Sequence, residues 1–297
     1  MEKIVLSTDI GYSYTKYAHN GVLSKFPSVI AKASSAGYIG ESTSYEYGGK
    51  HYNVGNATDS HTVATRTDDF ITKYSPLLLA HIFAKEDLKP DTICVSLSIS
   101  EYKAKEKQLK EKVSKFIVND ELFQQEAVVF PQGMGIWILV GRPSDAVIID
   151  IGYNTLDIFV VKNGSPNREH STGFPGIGTC ILANEVSSYI SHKFDGIFIP
   201  ELEANKYLQD KKIKILRKEF DLSEFIEDKK EDYTETVINS VLTIPQVKDI
   251  AFKTDNFIIA GGGAYYIDHD VKNKYGIFIP DNPEYANVSG FLQLIGG

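Results

Sequence analysis

Two four-residue runs carry the groups best suited to chemistry: Asp9-Ile10-Gly11-Tyr12, behind apolar Ile4-Val5-Leu6, and Asp150-Ile151-Gly152-Tyr153, behind Val147-Ile148-Ile149. In each, a carboxylate closes a strand-like run and a glycine follows, so the backbone can turn tightly and bring consecutive N–H groups toward an anion. Carboxylate oxygens suit a hard cation such as Mg²⁺. That ion keeps several of its waters and takes only one or two carboxylates beside phosphate oxygens, so Asp9 and Asp150 can act on it directly or through water. Lys16, beyond the first turn, can set one ammonium against phosphate as a point charge. The chemistry is that of binding a metal-bound polyphosphate.

The two copies extend beyond these runs. Each continues into a second strand-like run and an Asn-Gly turn, Asn20-Gly21 and Asn163-Gly164, the strongest short signal for a hairpin. Matching units in separate halves predict a duplicated fold whose two loops face each other across a cleft. A third segment, Phe257-Ile258-Ile259-Ala260-Gly261-Gly262-Gly263-Ala264-Tyr265, reads as a buried strand ending in three glycines before a helix. It leaves room for a flat ring or a ribose against bare backbone. Between the halves, Val128-Val129-Phe130-Pro131-Gln132-Gly133-Met134 reads as a strand stopped at a proline and resumed as an apolar helix. Gln132 at that junction can orient a water without acting as a strong base, which would give slow hydrolysis. A capping or surface glutamine is the plainer reading of Gln132 alone, and a single Asp-x-Gly is an ordinary turn. The combination carries the argument.

These motifs, in this order along nearly the whole chain, resemble the actin, sugar kinase and heat-shock chaperone ATPase superfamily, and within it the bacterial plasmid-segregation actins of the ParM or StbA type. The stretch Asp9 to Lys16 resembles the first phosphate loop and Asp150-Ile-Gly-Tyr-Asn-Thr-Leu-Asp157 the second. Gly261-Gly-Gly-Ala264 resembles the adenosine loop, and Pro131-Gln132-Gly133 the first interdomain connector. Gly173-Phe-Pro-Gly-Ile-Gly178 resembles the lead into the second half, and Asn287-Val-Ser-Gly290-Phe-Leu the final helix. The resemblance implies an α/β, duplicated actin-like (ribonuclease H-like) fold, two domains flanking a nucleotide cleft.

Carried to this chain, the likeness implies that Asp9 and Asp150 organise Mg²⁺, Lys16 contacts the β- and γ-phosphates, and Gln132 positions the attacking water. Gly11, Tyr12, Ser13, Tyr14, Gly152, Tyr153, Asn154, Thr155 and Gly178 would line the phosphates. Gly261, Gly262, Gly263, Ala264 and Tyr265 would line the nucleoside. Tyr12 and Tyr153 stand where small or polar residues are frequent, and their rings would shift the phosphate pose or line the nucleotide mouth. Glu201, Glu203 and Lys206 are weaker candidates for base contacts, on what reads as an ordinary solvated helix face. The implied function is a filament-forming protein that slowly hydrolyses ATP or GTP with Mg²⁺ and drives plasmid segregation. Its implied partners are further copies of itself and a DNA-binding adaptor at a centromere-like site, with no direct nucleic acid and no membrane. A small-molecule kinase on the same fold, with a carboxylate as base toward a substrate hydroxyl, is the alternative. A non-polymerising regulatory actin homologue is another.

Bulk properties set limits. A chain of 297 residues and 33.1 kDa is long enough for two cores. Its 42% hydrophobic and 24% charged residues are those of an ordinary soluble protein, and a net charge of −8 argues against a nonspecific polyanion surface. The basic run Lys211, Lys212, Lys214, Arg217 and Lys218 reads as a solvated edge. Only two cysteines, Cys94 and Cys180, occur in apolar contexts, the usage of a reduced, cytoplasmic protein. His19, His51 and His61 read as surface groups without metal-ligand spacing. No apolar run nears the roughly 20 residues of a membrane span.

Residues 1 to about 140 are expected to form domain I, with a small inserted subdomain at about 28–75 and a C-terminal helix at about 286–297 returning to it. Residues 141–285 would form domain II, with a compact variable subdomain at about 195–245. Helices are predicted at Leu77–Ala84, at Glu101–Val118 with Leu109, Val113, Phe116 and Ile117 on one face, and at Ile177–His192. Another is predicted from about Leu222 to Leu242, with a kink or exposed turn across Glu227–Asp232. The tyrosines of the insertion, Tyr38, Tyr45, Tyr47 and Tyr52, are candidate filament contacts.

Overall fold

The computed structural model describes residues 3–33, 44–55 and 62–296, without the side chains of Glu201 and Leu202. Tyr38 and His61 lie outside the described residues. The chain forms two compact units, one of residues 1–141 with 285–297 and one of residues 142–284.

The first unit opens with β1 (Val5–Ile10), β2 (Tyr14–His19) and β3 (Val22–Pro27), an antiparallel meander. Its second turn is Asn20-Gly21, both at positive φ (47° and 77°), the backbone that matches strand twist in a two-residue hairpin. Next come β4 (Ile30–Lys32), β5 (Ser44–Tyr47) and β6 (Lys50–Val54), a separate sheet in the order β4-β6-β5. Helix α1 (Phe70–Glu86) starts seven residues earlier than the sequence predicts and carries Pro76 in its interior. Its buried residues include Phe70, Tyr74, Leu77, Leu78, Ile82 and Phe83, so packing outweighs the missing proline N–H. Then follow β7 (Thr92–Leu97), α2 (Ile99–Ser114), β8 (Lys115–Val118), β9 (Glu121–Gln124), β10 (Glu126–Pro131) and α3 (Met134–Leu139). The main sheet runs β10-β7-β1-β2-β3, with β10, β7 and β1 parallel. Parallel neighbours put the C-terminal ends of these three strands together.

Helix α2 ends at Ser114, and Phe116 and Ile117, expected on its face, are in β8. Strand alternation therefore buries Phe116 and Val118 and exposes Ile117. Tyr45 and Tyr52 are buried and belong to the core with Tyr74, and Tyr47 packs against it. The insertion's described tyrosines hold its small sheet to α1 and do not form an open contact surface.

The second unit repeats the opening. Strand β11 (Ala146–Ile151) is buried throughout and pairs antiparallel with β12 (Thr155–Lys162), which turns at Asn163-Gly164 (φ 51° and 71°) into β13 (Ser165–Pro166). After β14 (Thr172–Pro175), which also pairs with β12, come α4 (Cys180–Lys193), α5 (Glu201–Asp210), β15 (Lys212–Ile215), β16 (Lys218–Asp221) and α6 (Ser223–Leu242). The charged run Glu227–Asp232 makes no kink: α6 is continuous, and Ile226, Tyr233, Val237, Ile238 and Val241 are buried on one side. The basic run is the β15–β16 hairpin, with Lys211 paired to Glu227 and Lys212 to Glu219. Helix α7 (Pro245–Lys253) leads to β17 (Phe257–Ala260), parallel to β11, then a 3₁₀ turn (Gly262–Tyr266) and α8 (His269–Lys274). A 3₁₀ turn at Pro283–Tyr285 precedes α9 (Ala286–Gly296), which packs on α3 and β1 of the first unit. Cys94 and Cys180 are free and buried, and burial, with Glu126 nearby, pushes the Cys94 thiol up to about 12. No helix among the described residues is long and apolar enough to cross a membrane.

Candidate functional site

In the first unit the loop after β1 closes on itself: the Gly11 N–H donates to the Tyr14 carbonyl at 3.1 Å. A Cβ on Gly11 would stand 2.9 Å from that same oxygen, so only glycine makes the turn without displacing it. In the second unit the Gly152 N–H donates to the Thr155 carbonyl at 2.9 Å. The same turn is built twice. Both glycine N–H groups are engaged inside their own loops, so neither points outward as an anion donor in the way the sequence suggests for Gly11 and Gly152.

The hairpin explains the spacing of Asp9 and Lys16, which are cross-strand partners of β1 and β2 with side chains on one face. Lys16 Nζ donates to Asp9 Oδ2 at 3.1 Å, and both side chains are nearly buried. Gln132, directly after β10, donates its Nε2 to Asp9 Oδ1 at 2.8 Å, and its backbone N–H is held by the Leu97 carbonyl at 2.8 Å. Ser96, near the end of β7, donates to the same Oδ1 at 2.5 Å. Three strand ends therefore converge on one carboxylate, as ligand sites of α/β sheets do. Burial works against the charge of Asp9. The Lys16 charge and the hydrogen bonds from Ser96, Gln132 and Lys16 outweigh it and hold the group below its ordinary value. With both oxygens so engaged, Asp9 fits a role toward a metal through water and not as a direct ligand.

Sequence reasoning assigns no role to Ser96, although Ser96, Ser98 and Ser100 alternate where the apolar run ends, a polar rhythm that marks one side of a strand end. Tyr12 and Tyr153 pack their rings against the cores of their own units, and the Tyr12 hydroxyl donates to Glu101 at 3.3 Å. Ser13 is buried, with its carbonyl taken by the Ser28 N–H, and Tyr14 lies under the Lys25 ammonium.

In the second unit Asp150 is buried at the end of β11, and its cross-strand partner is Asp157. The position held by Lys16 in the first hairpin is thus a second carboxylate, to which the sequence reading gave no role. Two carboxylates on one sheet face are a donor set that suits Mg²⁺ completed by phosphate and water. No group of three or more His, Cys, Asp or Glu that could hold a metal occurs among the described residues. The loop is fastened to the start of α4: Thr179 and Cys180 donate to the carbonyls of Gly152 and Tyr153 at 3.1 and 2.8 Å, and Gly176 donates to that of Asn154 at 2.6 Å. A Cβ on Gly178 would lie 2.3 Å from the Tyr153 oxygen, which explains that glycine by packing.

The triple glycine divides the same way. A Cβ on Gly261 (φ 82°) would meet Asp150 Oδ1 and the Ile151 carbonyl, each at 2.4 Å, and one on Gly263 would meet the Ile151 side chain at 2.2 Å. Only Gly262 faces open space. Ala264 is buried and Tyr265 is exposed. Two of the three glycines thus seat β17 against β11, and the bare backbone expected for a ring or ribose reduces to Gly262. Of the weaker candidates, Glu203 accepts from Tyr207 on α5. Of the histidines, His51 is exposed, whereas His19 is largely buried with Nε2 3.6 Å from Glu86.

Each unit pairs an antiparallel hairpin with a parallel strand and an Asp-x-Gly loop, the duplicated plan of the actin-like fold. The family model for the N-terminal domain of actin-like proteins matches residues 7–135, and the model for the C-terminal part of archaeal MreB-like actin homologues matches residues 148–273. The chain belongs to the actin-like proteins. Among solved structures, a 15-stranded ParM filament from Clostridium botulinum is 21% identical, with a TM-score of 0.75 and 99% of both chains covered. An archaeal actin homologue, Ta0583, in complex with ADP is 18% identical at a TM-score of 0.79, with 97% of both chains covered. ParM from Bacillus thuringiensis with ATP is 17% identical at 0.67, covering 99% of this chain and 98% of that one. No curated protein matches the chain.

Proposed function

We propose that the chain is a nucleotide-dependent, filament-forming actin-like protein that binds ATP or GTP with Mg²⁺ and hydrolyses it slowly. The observation that carries this reading is the shared carboxylate of the first unit, on which Lys16 and Gln132 both rest. Lys16 is thereby aimed as a phosphate contact, and Gln132, held by one amide hydrogen, keeps its carbonyl oxygen to orient a water. No strong base is involved, so turnover is slow. Asp150, beside Asp157, would hold Mg²⁺ directly or through water. Tyr12, Ser13, Tyr14, Tyr153, Asn154 and Thr155 would offer donors to phosphate, and Gly262 with Tyr265 would border the nucleoside. The ParM filament and the nucleotide complexes among the similar structures support assembly and nucleotide binding as the reading to test. The finer part is plasmid segregation through a DNA-binding adaptor at a centromere-like site, which rests on the sequence resemblance.

The test is pelleting with electron microscopy and phosphate release, for the protein with Mg²⁺ and ATP, GTP or no nucleotide, beside Asp150→Ala and Gln132→Ala. Nucleotide-dependent filaments, with hydrolysis lost in both variants and longer-lived filaments in Gln132→Ala, are expected. Nucleotide binding without any assembly at tens of micromolar, about tenfold or more above a micromolar Kd, would overturn the polymer reading and favour a small-molecule kinase.

A further inference from the structure

We infer that Asn287 on α9 is a positioning residue: it fixes the segment that carries Gln132, so that the C-terminal helix sets the hydrolysis rate. This rests on the water-orienting role proposed above for Gln132. Asn287 is buried, and its Oδ1 accepts from the backbone N–H of Gly133, the residue next to Gln132, at 3.0 Å. Gly133 lies at φ 88°, a conformation that glycine reaches readily and leaves as readily, so an external partner is needed to hold it.

Two further contacts make α9 a frame for this segment. A Cβ on Gly290 would fall 1.8 Å from the Gly135 carbonyl, so the backbones of α9 and α3 touch with no side chain between them. The rings of Phe130 and Phe291 stack at 5.0 Å and 18°. Phe130 precedes Gln132, while Gly133 and Gly135 follow it, so α9 grips the segment on both sides. Of these three α9 contacts, the Asn287 hydrogen bond is the one that reaches the residue adjoining Gln132, beside the Leu97 carbonyl that holds the Gln132 N–H and the Trp137 N–H that donates to the Gly133 carbonyl. Orientation of a water is sensitive to such support, since a displacement of about 1 Å can cost about 10²-fold in rate.

The experiment uses the full chain with Mg²⁺ and whichever of ATP or GTP the parent hydrolyses, and compares parent, Asn287→Leu, Asn287→Ser, Gln132→Ala and the double variant Asn287→Leu/Gln132→Ala. Phosphate release under single turnover, nucleotide affinity by calorimetry and hydrogen exchange of the 130–136 amides are measured. Asn287→Leu and Asn287→Ser should slow hydrolysis about tenfold or more, leave affinity within about twofold, and speed exchange at Gly133. The double variant should be no slower than Gln132→Ala alone, because both changes remove the same oriented water. Serine is too short to reach Gly133 and adds no bulk to the buried site, and so decides the matter if the leucine variant does not fold. Hydrolysis at the parental rate in a folded Asn287 variant, multiplying effects in the double variant, or unchanged exchange at Gly133 would overturn the inference. A parent that releases no phosphate from either nucleotide overturns instead the hydrolase reading, a result separable from these because parent and variants are measured together.

Discussion

At the scale of residues the first unit rests on a buried charge that would be costly alone. Asp9 is tolerated because Lys16, Ser96 and Gln132 saturate it, and removing the cation strands a carboxylate in the interior. Lys16→Met is therefore expected to destabilise the first unit by about 3–5 kcal/mol, against about 1–2 kcal/mol for Ser96→Ala. Urea unfolding followed at Trp137, the sole tryptophan and a member of that unit, checks both. A second, half-buried group gives a pH signature. Burial first, and then the Lys85 charge, lowers His81 from 6.5 to about 4, while its Nδ1 meets the Tyr45 hydroxyl at 3.0 Å. The unfolded chain then binds the extra proton between those values, so stability is full above about pH 6.5 and declines as pH falls toward 4. With its partial exposure discounted, the loss is of order 2 kcal/mol. His81→Phe should flatten that part of the profile, and an unchanged slope in the variant would show that other groups set it. Asp9, Lys16 and Gln132 are legible in the sequence because a hairpin fixes the first two and a proline stop exposes the third. Ser96 is not, because its partner is reached only through the parallel register of β7 with β1.

At the scale of elements, what could be read were features set by local chemistry. The two Asn-Gly hairpins and the buried strands before each aspartate follow from turn residues and apolar runs. Features decided by distant packing could not. Helical spacing from Leu109 carries on through Phe116 and Ile117, yet Gln125 donates to the Val113 carbonyl, and the chain pairs as a hairpin from Lys115 to Gln124. Glu227–Asp232 looks like a break, but the helix runs through it with Lys229 and Lys230 half-buried on the inner side, and the buried face resumes at Tyr233. The triple glycine shows the limit best, since spacing alone cannot separate a glycine needed for packing from one left open to a ligand. Substitution separates them. Gly261→Ala is strained by φ and by two close contacts, and Gly263→Ala by the Ile151 side chain, so each should cost about 2 kcal/mol or more. Gly262→Ala should cost less than about 1 kcal/mol of stability and act, if at all, on nucleotide affinity. Thermal unfolding by circular dichroism covers both units, and comparison with the Trp137 fluorescence transition of the first separates the second, which has no tryptophan. Equal losses in all three variants would remove the distinction.

At the scale of the whole molecule, assembly into a polar filament needs two different surfaces that fit each other. The buried tyrosines of the insertion are not one of them. Ile117 and Leu122 are cross-strand partners on the outer face of the β8–β9 hairpin, 58% and 53% exposed, while Phe116 and Phe123 pack behind them. Helix α2 presents Lys103, Lys107 and Lys110 at helical spacing, all exposed. Helix α6 presents Glu224, Asp228, Glu231 and Glu235 at the matching spacing, also exposed. Stripes of opposite sign in one chain are the pattern expected when one copy meets the next, with the apolar pair excluding water beside them. A chain of net charge −8 otherwise repels its copies, and salt would then promote assembly by screening. If the stripes meet, the opposite holds: the critical concentration for pelleting should rise severalfold from low salt to physiological salt. Leu122→Asp should raise it further at any ionic strength. Lys107→Glu with Lys110→Glu should abolish assembly, and mixing that variant with Asp228→Lys/Glu231→Lys should restore copolymers, because each reversed stripe then finds its complement. Assembly that strengthens with salt and ignores these reversals would move the interface elsewhere on the surface.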